Sequence, residues 1–316
     1  MSAHRSYNEL TSEGVWSGFP PLRLSVTLPS EVAAGLDVVS ERLSKLDFNG
    51  FFATKLSNSA LHLIRAKGKL LRPALVLLGS HSTGGINELS VQAATAVEVI
   101  HTASLIHDDL IDRDAERRGV LTVHTVFGDQ TALLAGDLLI SKAIELSAGC
   151  GEEAIKELAK AAMEMAEGES RDYEVQETGA RVTVDEYLEI VSLKTASLIG
   201  ASAAIGGIVA GSGREMASQL KEYGRNLGIA FQIRDDYLNV LGVSADGKTT
   251  GNDLRNNRPN IVGALANEFG RERALILTKE MNQGYVTRAK KVVDQLPGSN
   301  SLLLGYAELM RIDESN

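Results

Sequence analysis

Glu152–Glu169 reads EEAIKELAKAAMEMAEGE. Ala, Glu, Lys, Leu and Met, the stronger helix formers, dominate it. Its apolar residues Ile155, Leu158, Ala159, Ala162, Met163 and Ala166 follow the i, i+3, i+4, i+7 spacing of a helix packed along one side. No proline occurs between Pro73 and Pro259. A proline inside a helix costs about 3 kcal/mol or more, so its absence lets the helical reading run outward in both directions. Upstream, Ala93–Ile106 is an apolar helical run. Downstream, Thr183 and Glu186 open the stretch Thr183–Gly200 at capping-box spacing, and Met216–Val240 is again helix-compatible. Period-2 runs bounded by hairpin turns are few. Breaks at Gly84-Gly85, Gly119, Gly149–Gly151, Gly211–Gly213 and Gly242–Gly251 fit helix junctions, and none reads as a flexible linker. We expect an all-α chain of about ten or more helices: one domain over residues 29–316, after a loosely ordered N-terminal extension at 1–28.

The 316 residues carry 32 Lys+Arg against 41 Asp+Glu, a formal charge of −9. Such a chain is a poor candidate for wrapping nucleic acid. A single cysteine, Cys150, excludes an internal disulfide and cysteine-rich zinc sites. No stretch approaches the roughly 18 uninterrupted apolar residues of a membrane span. The opening MSAHRSYNELTSEG carries acids and lacks the apolar core of a secretory signal. A cytoplasmic protein is expected.

The chemistry gathers in two acidic clusters. His107-Asp108-Asp109-Leu110-Ile111-Asp112 ends the apolar run, with Asp108 and Asp112 four apart on one helix face. Alone, the cluster reads equally well as a solvated helix end. A second cluster, Phe231-Gln232-Ile233-Arg234-Asp235-Asp236-Tyr237-Leu238-Asn239, repeats the pattern with Asn in the last place, again after an apolar run. Buried carboxylates need a partner or a metal. Two such patches facing each other would form a hard-oxygen site suited to Mg²⁺, which is commonly held by carboxylates together with substrate phosphates. Cations that could grip phosphate accompany them: Lys69 and Arg72 in Lys67–Pro73, Arg117-Arg118-Gly119, Lys194-Thr195 within an apolar run, and Lys248 in a glycine-bearing segment.

On these residues the chain resembles the trans-prenyl diphosphate synthases of the polyprenyl synthetase family, over about residues 40–300. The matching segments are Ser104–Gly119 (SLIHDDLIDRDAERRG), Phe231–Gly242 (FQIRDDYLNVLG) and Gly68–Pro73 (GKLLRP), with His101, Leu134–Asp137, Lys194-Thr195 and Gly247–Asp253. The resemblance implies an isoprenoid synthase-like bundle around a central cavity. It implies condensation of isopentenyl diphosphate with an allylic diphosphate to a longer all-trans prenyl diphosphate, with release of pyrophosphate. Asp108, Asp112 and Asp235 would hold three Mg²⁺ ions, supported by Asp109, Asp236 and Asn239. Arg117, Lys194 and Lys248 would contact the allylic diphosphate, with Thr195 and Gln232 lining the reacting region. Lys69, Arg72, His101 and Arg118 would hold isopentenyl diphosphate. The sequence departs from the family pattern at Asn239, at Leu70, at Asp172, where the family often has Gln, and at Asn256-Asn257-Arg258, where Arg258 becomes a candidate phosphate contact.

The product should extend past the residues preceding Asp108. Ala103, Ser104 and Ile100 line that direction in our reading, and a small Ala103 predicts geranylgeranyl length or longer. The floor is expected at Leu138, Leu139, Ser141 or near Met163. Family likeness also implies a homodimer. Two rivals are a terpene cyclase on the same fold and a subunit of a heteromeric synthase. The cyclase would not need Lys69, Arg72 and His101, and such a subunit usually lacks one of the aspartate motifs.

Overall fold

The computed structural model describes residues 15–16, 26–48, 54–66, 68–242, 258–297 and 300–312. Among them are thirteen α-helices: α1 (Ser30–Ser44), α2 (Thr54–Arg65), α3 (Leu71–His81), α4 (Glu88–Asp112), α5 (Val123–Phe127), α6 (Asp129–Ser147), α7 (Glu152–Thr178), α8 (Val184–Lys194), α9 (Ala196–Val209), α10 (Arg214–Val240), α11 (Ile261–Phe269), α12 (Arg271–Val293) and α13 (Ser301–Glu308). The expected all-α architecture is what forms. Strand structure among the described residues is two antiparallel pairs of two residues each, β1 (Val15–Trp16) with β2 (Val26–Thr27) and β3 (Glu116–Arg117) with β4 (Val120–Leu121). Most of the expected extension at 1–28 falls outside the described residues.

Helix α4 is the axis. Asn87 starts it with a capping box: Ser90 N donates to Asn87 Oδ1 at 2.9 Å, and Asn87 N donates to Ser90 Oγ at 3.1 Å. It packs on α3, α6 and α9. By length and composition α4 could cross a bilayer, but 72% of its apolar window is buried inside the protein. That is the signature of a core helix. Helix α9 is buried on every side, between α3, α7 and α10, so its sequence is apolar or small all round.

The stripe expected on α7 is displaced. Its buried line runs Ala154, Leu158, Ala161, Gly168 and Asp172, while Met163 is 67% exposed. Alanine counts as apolar on either face, so the alanine-rich pattern did not distinguish the two. The expected capping box on α8 is present: Glu186 N donates to Thr183 Oγ1 at 3.2 Å, and Thr183 N donates to Glu186 Oε2 at 2.8 Å. The helix expected to continue to Gly200 instead breaks at Thr195, and α8 and α9 meet at a 43° bend.

The C-terminal helices brace the core around α10 and the start of α3. Tyr306 donates to the Leu71 carbonyl at 3.0 Å and Tyr223 to the Leu303 carbonyl at 2.7 Å. Asn282 donates to the carbonyls of Ala230 and Met310 at 2.8 and 2.9 Å. Arg234 donates to the Leu309 carbonyl.

Candidate active site

A cavity of about 1400 Å³ opens among these helices. Helix α4 presents Ile100, His101, Ser104, Asp108 and Asp112 to it, a helical 3–4 spacing. Helix α10 presents Gln232, Asp235, Asp236 and Asn239. The two acidic clusters therefore line one cavity from two helices, with Lys69, Arg72, Arg117, Arg118, Lys194, Thr195 and Arg258 also on its wall. Lys248 lies outside the described residues. Asp109 is buried off the wall, against Arg117. Ala103, expected on the product path, is fully buried and off the wall. At about 100° per residue, five residues back carries Ala103 about 140° around α4 from Asp108, whereas Ser104 stands about 40° away. The expected floor holds in part: Ala162, Met165 and Ala166 of α7, close to Met163, face the cavity together with Ile140 of α6, while Leu138, Leu139, Ser141 and Met163 itself do not.

Each aspartate of the first cluster meets a cation. Arg117 Nη2 lies 2.7 Å from Asp108 Oδ2, and Arg117 Nε pairs with Asp109. Lys194 Nζ lies 3.1 Å from Asp108 Oδ1, 2.7 Å from Glu169 Oε2 and 2.5 Å from Asp172 Oδ2. Arg258 Nη2 lies 2.8 Å from Asp112 Oδ2 and 3.2 Å from Asp114 Oδ1. Burial works against the Lys194 charge, but Asp108, Asp172 and Glu169 outweigh it and hold the ammonium pKa well above its ordinary value. Burial, with Asp108 beside it, pushes Asp112 up to about 6. Burial pushes Glu169 up to about 7, against the pull of Lys194.

A second basic group sits on another part of the wall. Arg72 Nη1 meets His101 Nε2 at 2.9 Å. Burial, then the charges of Arg72, Arg118 and Arg117, hold His101 well below its ordinary pKa, so the ring is neutral. Arg118 Nη2 lies 3.1 Å from Glu98 Oε1. Backbone strain marks this group. Leu70, between Lys69 and the start of α3, has φ 52°, and Arg118 has φ 53°. Arg118 and Gly119 (φ 73°) are the two central residues of the β3–β4 hairpin, whose two-residue turn favours positive φ at both. Gly119 adopts that conformation freely; Arg118 does so at a cost.

Polar contacts tie the second cluster to its surroundings. Thr195 Oγ1 donates to Gln232 Oε1 at 3.1 Å, and Gln232 Nε2 donates to Asp236 Oδ1 at 2.9 Å. The Ile261 backbone N–H, at the start of α11, donates to Asp236 Oδ2 at 3.0 Å. Gly168 lets α7 approach the α8–α9 break: a Cβ there would stand 2.4 Å from Lys194 N.

The donor set suits a hard divalent cation. Asp112 Oδ2 meets Arg258, but Asp112 Oδ1 is buried with no hydrogen-bond partner among the described residues, and burial raises the Asp112 pKa to about 6. Yet no three His, Cys, Asp or Glu side chains among the described residues are gathered tightly enough to hold a metal ion. Asp108, Asp112 and Asp235 share the cavity without forming a coordination cluster. A metal here needs further oxygens, which a diphosphate carries.

Among the wall residues that escaped the sequence reading are Glu98, Glu169 and Tyr187. For Glu98 a signal was available. It is a lone charge inside the apolar run Ala96-Val97-Glu98-Val99-Ile100. Glu169 and Tyr187 look like ordinary members of surface-facing helix turns.

Residues 53–296 match the polyprenyl synthetase family. The chain belongs to that family. Among its relatives, the geranylfarnesyl diphosphate synthase of Aeropyrum pernix is 39% identical over 280 residues, covering 83% of this chain and 85% of that protein. The geranylgeranyl pyrophosphate synthase of Geoglobus acetivorans is 34% identical over 281 residues, covering 78% and 88%. The crystal structure of geranylgeranyl pyrophosphate synthetase from Pyrococcus horikoshii superposes with a TM-score of 0.80 at 30% identity, covering 90% and 97%. This polyprenyl synthetase is thus a prenyl diphosphate synthase, an enzyme of prenyl chain elongation.

Proposed function

We propose that the enzyme catalyses the Mg²⁺-dependent head-to-tail (1′-4) condensation of isopentenyl diphosphate with an allylic diphosphate. The product in this reading is all-trans geranylgeranyl diphosphate or longer. One observation carries the proposal: Asp108, Asp112 and Asp235 line a single cavity from two helices, with Lys69, Arg72, His101 and Arg118 grouped on the same wall. When bound at Asp108, Asp112 and Asp235, Mg²⁺ supplies charge neutralisation for a departing diphosphate. Arg117, Lys194 and Arg258, which now neutralise the aspartates, become available to that diphosphate as it enters. The allylic C–O bond breaks, the isopentenyl double bond forms the new C–C bond, and a proton leaves to the released pyrophosphate. Arg72 and Arg118 hold the isopentenyl diphosphate so that its double bond is already placed.

Product length follows from the wall. Ser104, one turn before Asp108, is small, and Ile100, Ile140, Ala162 and Met165 line the same cavity, which supports a product longer than farnesyl. The names of the geranylgeranyl and geranylfarnesyl relatives favour the same range. Incubation with Mg²⁺, farnesyl diphosphate and [¹⁴C]isopentenyl diphosphate, followed by sizing of the products, tests the proposal. Radiolabel in geranylgeranyl or longer products is expected, and its loss with chelator. Products no longer than farnesyl, or no incorporation by the purified chain alone, would overturn it.

We also propose a homodimer. Leu133, Leu134 and Ile144 of α6 are each more than half exposed, an apolar face that a second copy would cover. Sedimentation of the purified chain tests this.

A further inference from the structure

Arg117 and Arg118 are adjacent in sequence, yet each meets a different acid. Arg117 pairs with Asp108 and Asp109 at the end of α4. Arg118 pairs with Glu98, whose side chain is 4% exposed, about three turns earlier on the same helix. Glu98 lies three residues before His101, so the two share a face of α4. It also sits within electrostatic reach of Arg72. Room is short: a Cβ on Gly68 would stand 2.5 Å from Arg118 Nη2 and 3.0 Å from Glu98 Oε1.

A buried carboxylate in an apolar helix run is costly, and a hydrophobic residue would pack α4 more cheaply. The strained Arg118 backbone is a second cost at the same spot. We propose that Glu98 is a positioning residue that assigns Arg118 to the isopentenyl diphosphate pocket and keeps it from joining Arg117 at the aspartate cluster. The inference rests on Lys69, Arg72, His101 and Arg118 forming that pocket. Without Glu98, Arg118 and Arg72 repel each other across a site with no substrate, and Asp108 and Asp114 already meet the neighbouring Arg117 of the same hairpin. Glu98 itself touches no substrate and acts through Arg118.

The test is a double-mutant cycle on the full chain with Mg²⁺: wild type, Glu98→Gln, Arg118→Gln and the double variant, with both KM values, kcat and Tm measured. Glu98→Gln keeps shape while removing charge. It is expected to raise KM for isopentenyl diphosphate about tenfold, the effect of losing one charge-assisted contact, and to leave KM for the allylic diphosphate within about twofold. Glu98→Asp should recover part of the loss. The double variant should be no worse than Arg118→Gln, because Glu98 has nothing left to place. Equal rises in both KM values, a fall in kcat alone, or additive losses in the double variant would overturn the assignment. If Glu98→Gln does not fold, the Arg118→Gln background replaces it: there the buried carboxylate keeps only Arg72 nearby, so removing it should raise Tm, and a fall would count against the proposal. Should Arg118→Gln leave KM for isopentenyl diphosphate unchanged, the pocket itself has been misread, a result distinct from failure of Glu98 alone.

Discussion

Lys194 Nζ stands 3.1 Å from Asp108 Oδ1, joining the last turn of α8 to the first aspartate cluster on α4. The same ammonium holds Glu169 and Asp172 of α7. One cation therefore serves three carboxylates on two other helices. Replacing it leaves those acids without their shared partner, which costs about 3–5 kcal/mol for a buried pair. Lys194→Ala is expected to lower the Tm of the metal-free enzyme strongly and to raise KM for the allylic diphosphate at least about tenfold. Adding Mg²⁺ and pyrophosphate should restore part of the lost Tm, measured by differential scanning fluorimetry.

Glu169 gives the pH dependence. Its folded pKa is raised from 4.5 to about 7. An acid held above its ordinary value leaves stability intact below pH 4.5 and withdraws it as the pH rises through about 7. At about 1.4 kcal/mol per unit, no more than about 3.5 kcal/mol is involved. Glu169→Gln should therefore raise the Tm of the metal-free enzyme by a few degrees at pH 8 and leave it unchanged near pH 4.5. An equal shift at both values would mean packing, not charge, sets the effect.

Product length is predicted to respond to Ser104 in a way it does not respond to Ala103. Ser104→Phe places a ring in the cavity one turn from Asp108 and should shorten the product without a large loss of Tm. Ala103→Phe starts from the packed core, where overpacking costs about 1–3 kcal/mol. Any shortening it causes should come with a clear drop in Tm. Product sizing beside thermal melts separates the two.

Gly168→Ala is expected to cost activity and stability together. The added methyl would meet Lys194 N at 2.4 Å and Lys194 Cα at 2.8 Å, both backbone. Helix α7 would have to back away from the α8–α9 bend, taking Glu169 and Asp172 with it. A variant with wild-type Tm and kcat would show that the approach is looser than the structure has it.

The sequence made the helical class legible because helix formers fill a proline-free span, and because Thr183 and Glu186 sit at capping distance. It made the cavity wall legible because acids in apolar runs, such as Asp108 and Asp235, are costly without a purpose. What it could not provide was rotation. Ala103 and Ser104 are both small, and only the packing of α4 against α3, α6 and α9 decides which meets the cavity. Met163 and Ala161 exchange roles on α7 for the same reason. The break at Thr195 was hidden too, since Thr183–Gly200 contains no Gly or Pro before its end.

Both aspartate clusters lie in the closing turns of their helices, Asp108–Asp112 at the end of α4 and Asp235-Asp236 shortly before the end of α10. Peptide carbonyls at such ends carry partial negative charge, so acids placed there are repelled by their own backbone as well as by each other. The practical consequence concerns handling. In the proposed reading Mg²⁺ relieves this repulsion, so protein purified in millimolar MgCl₂ is expected to melt at a higher temperature than protein purified with a chelator.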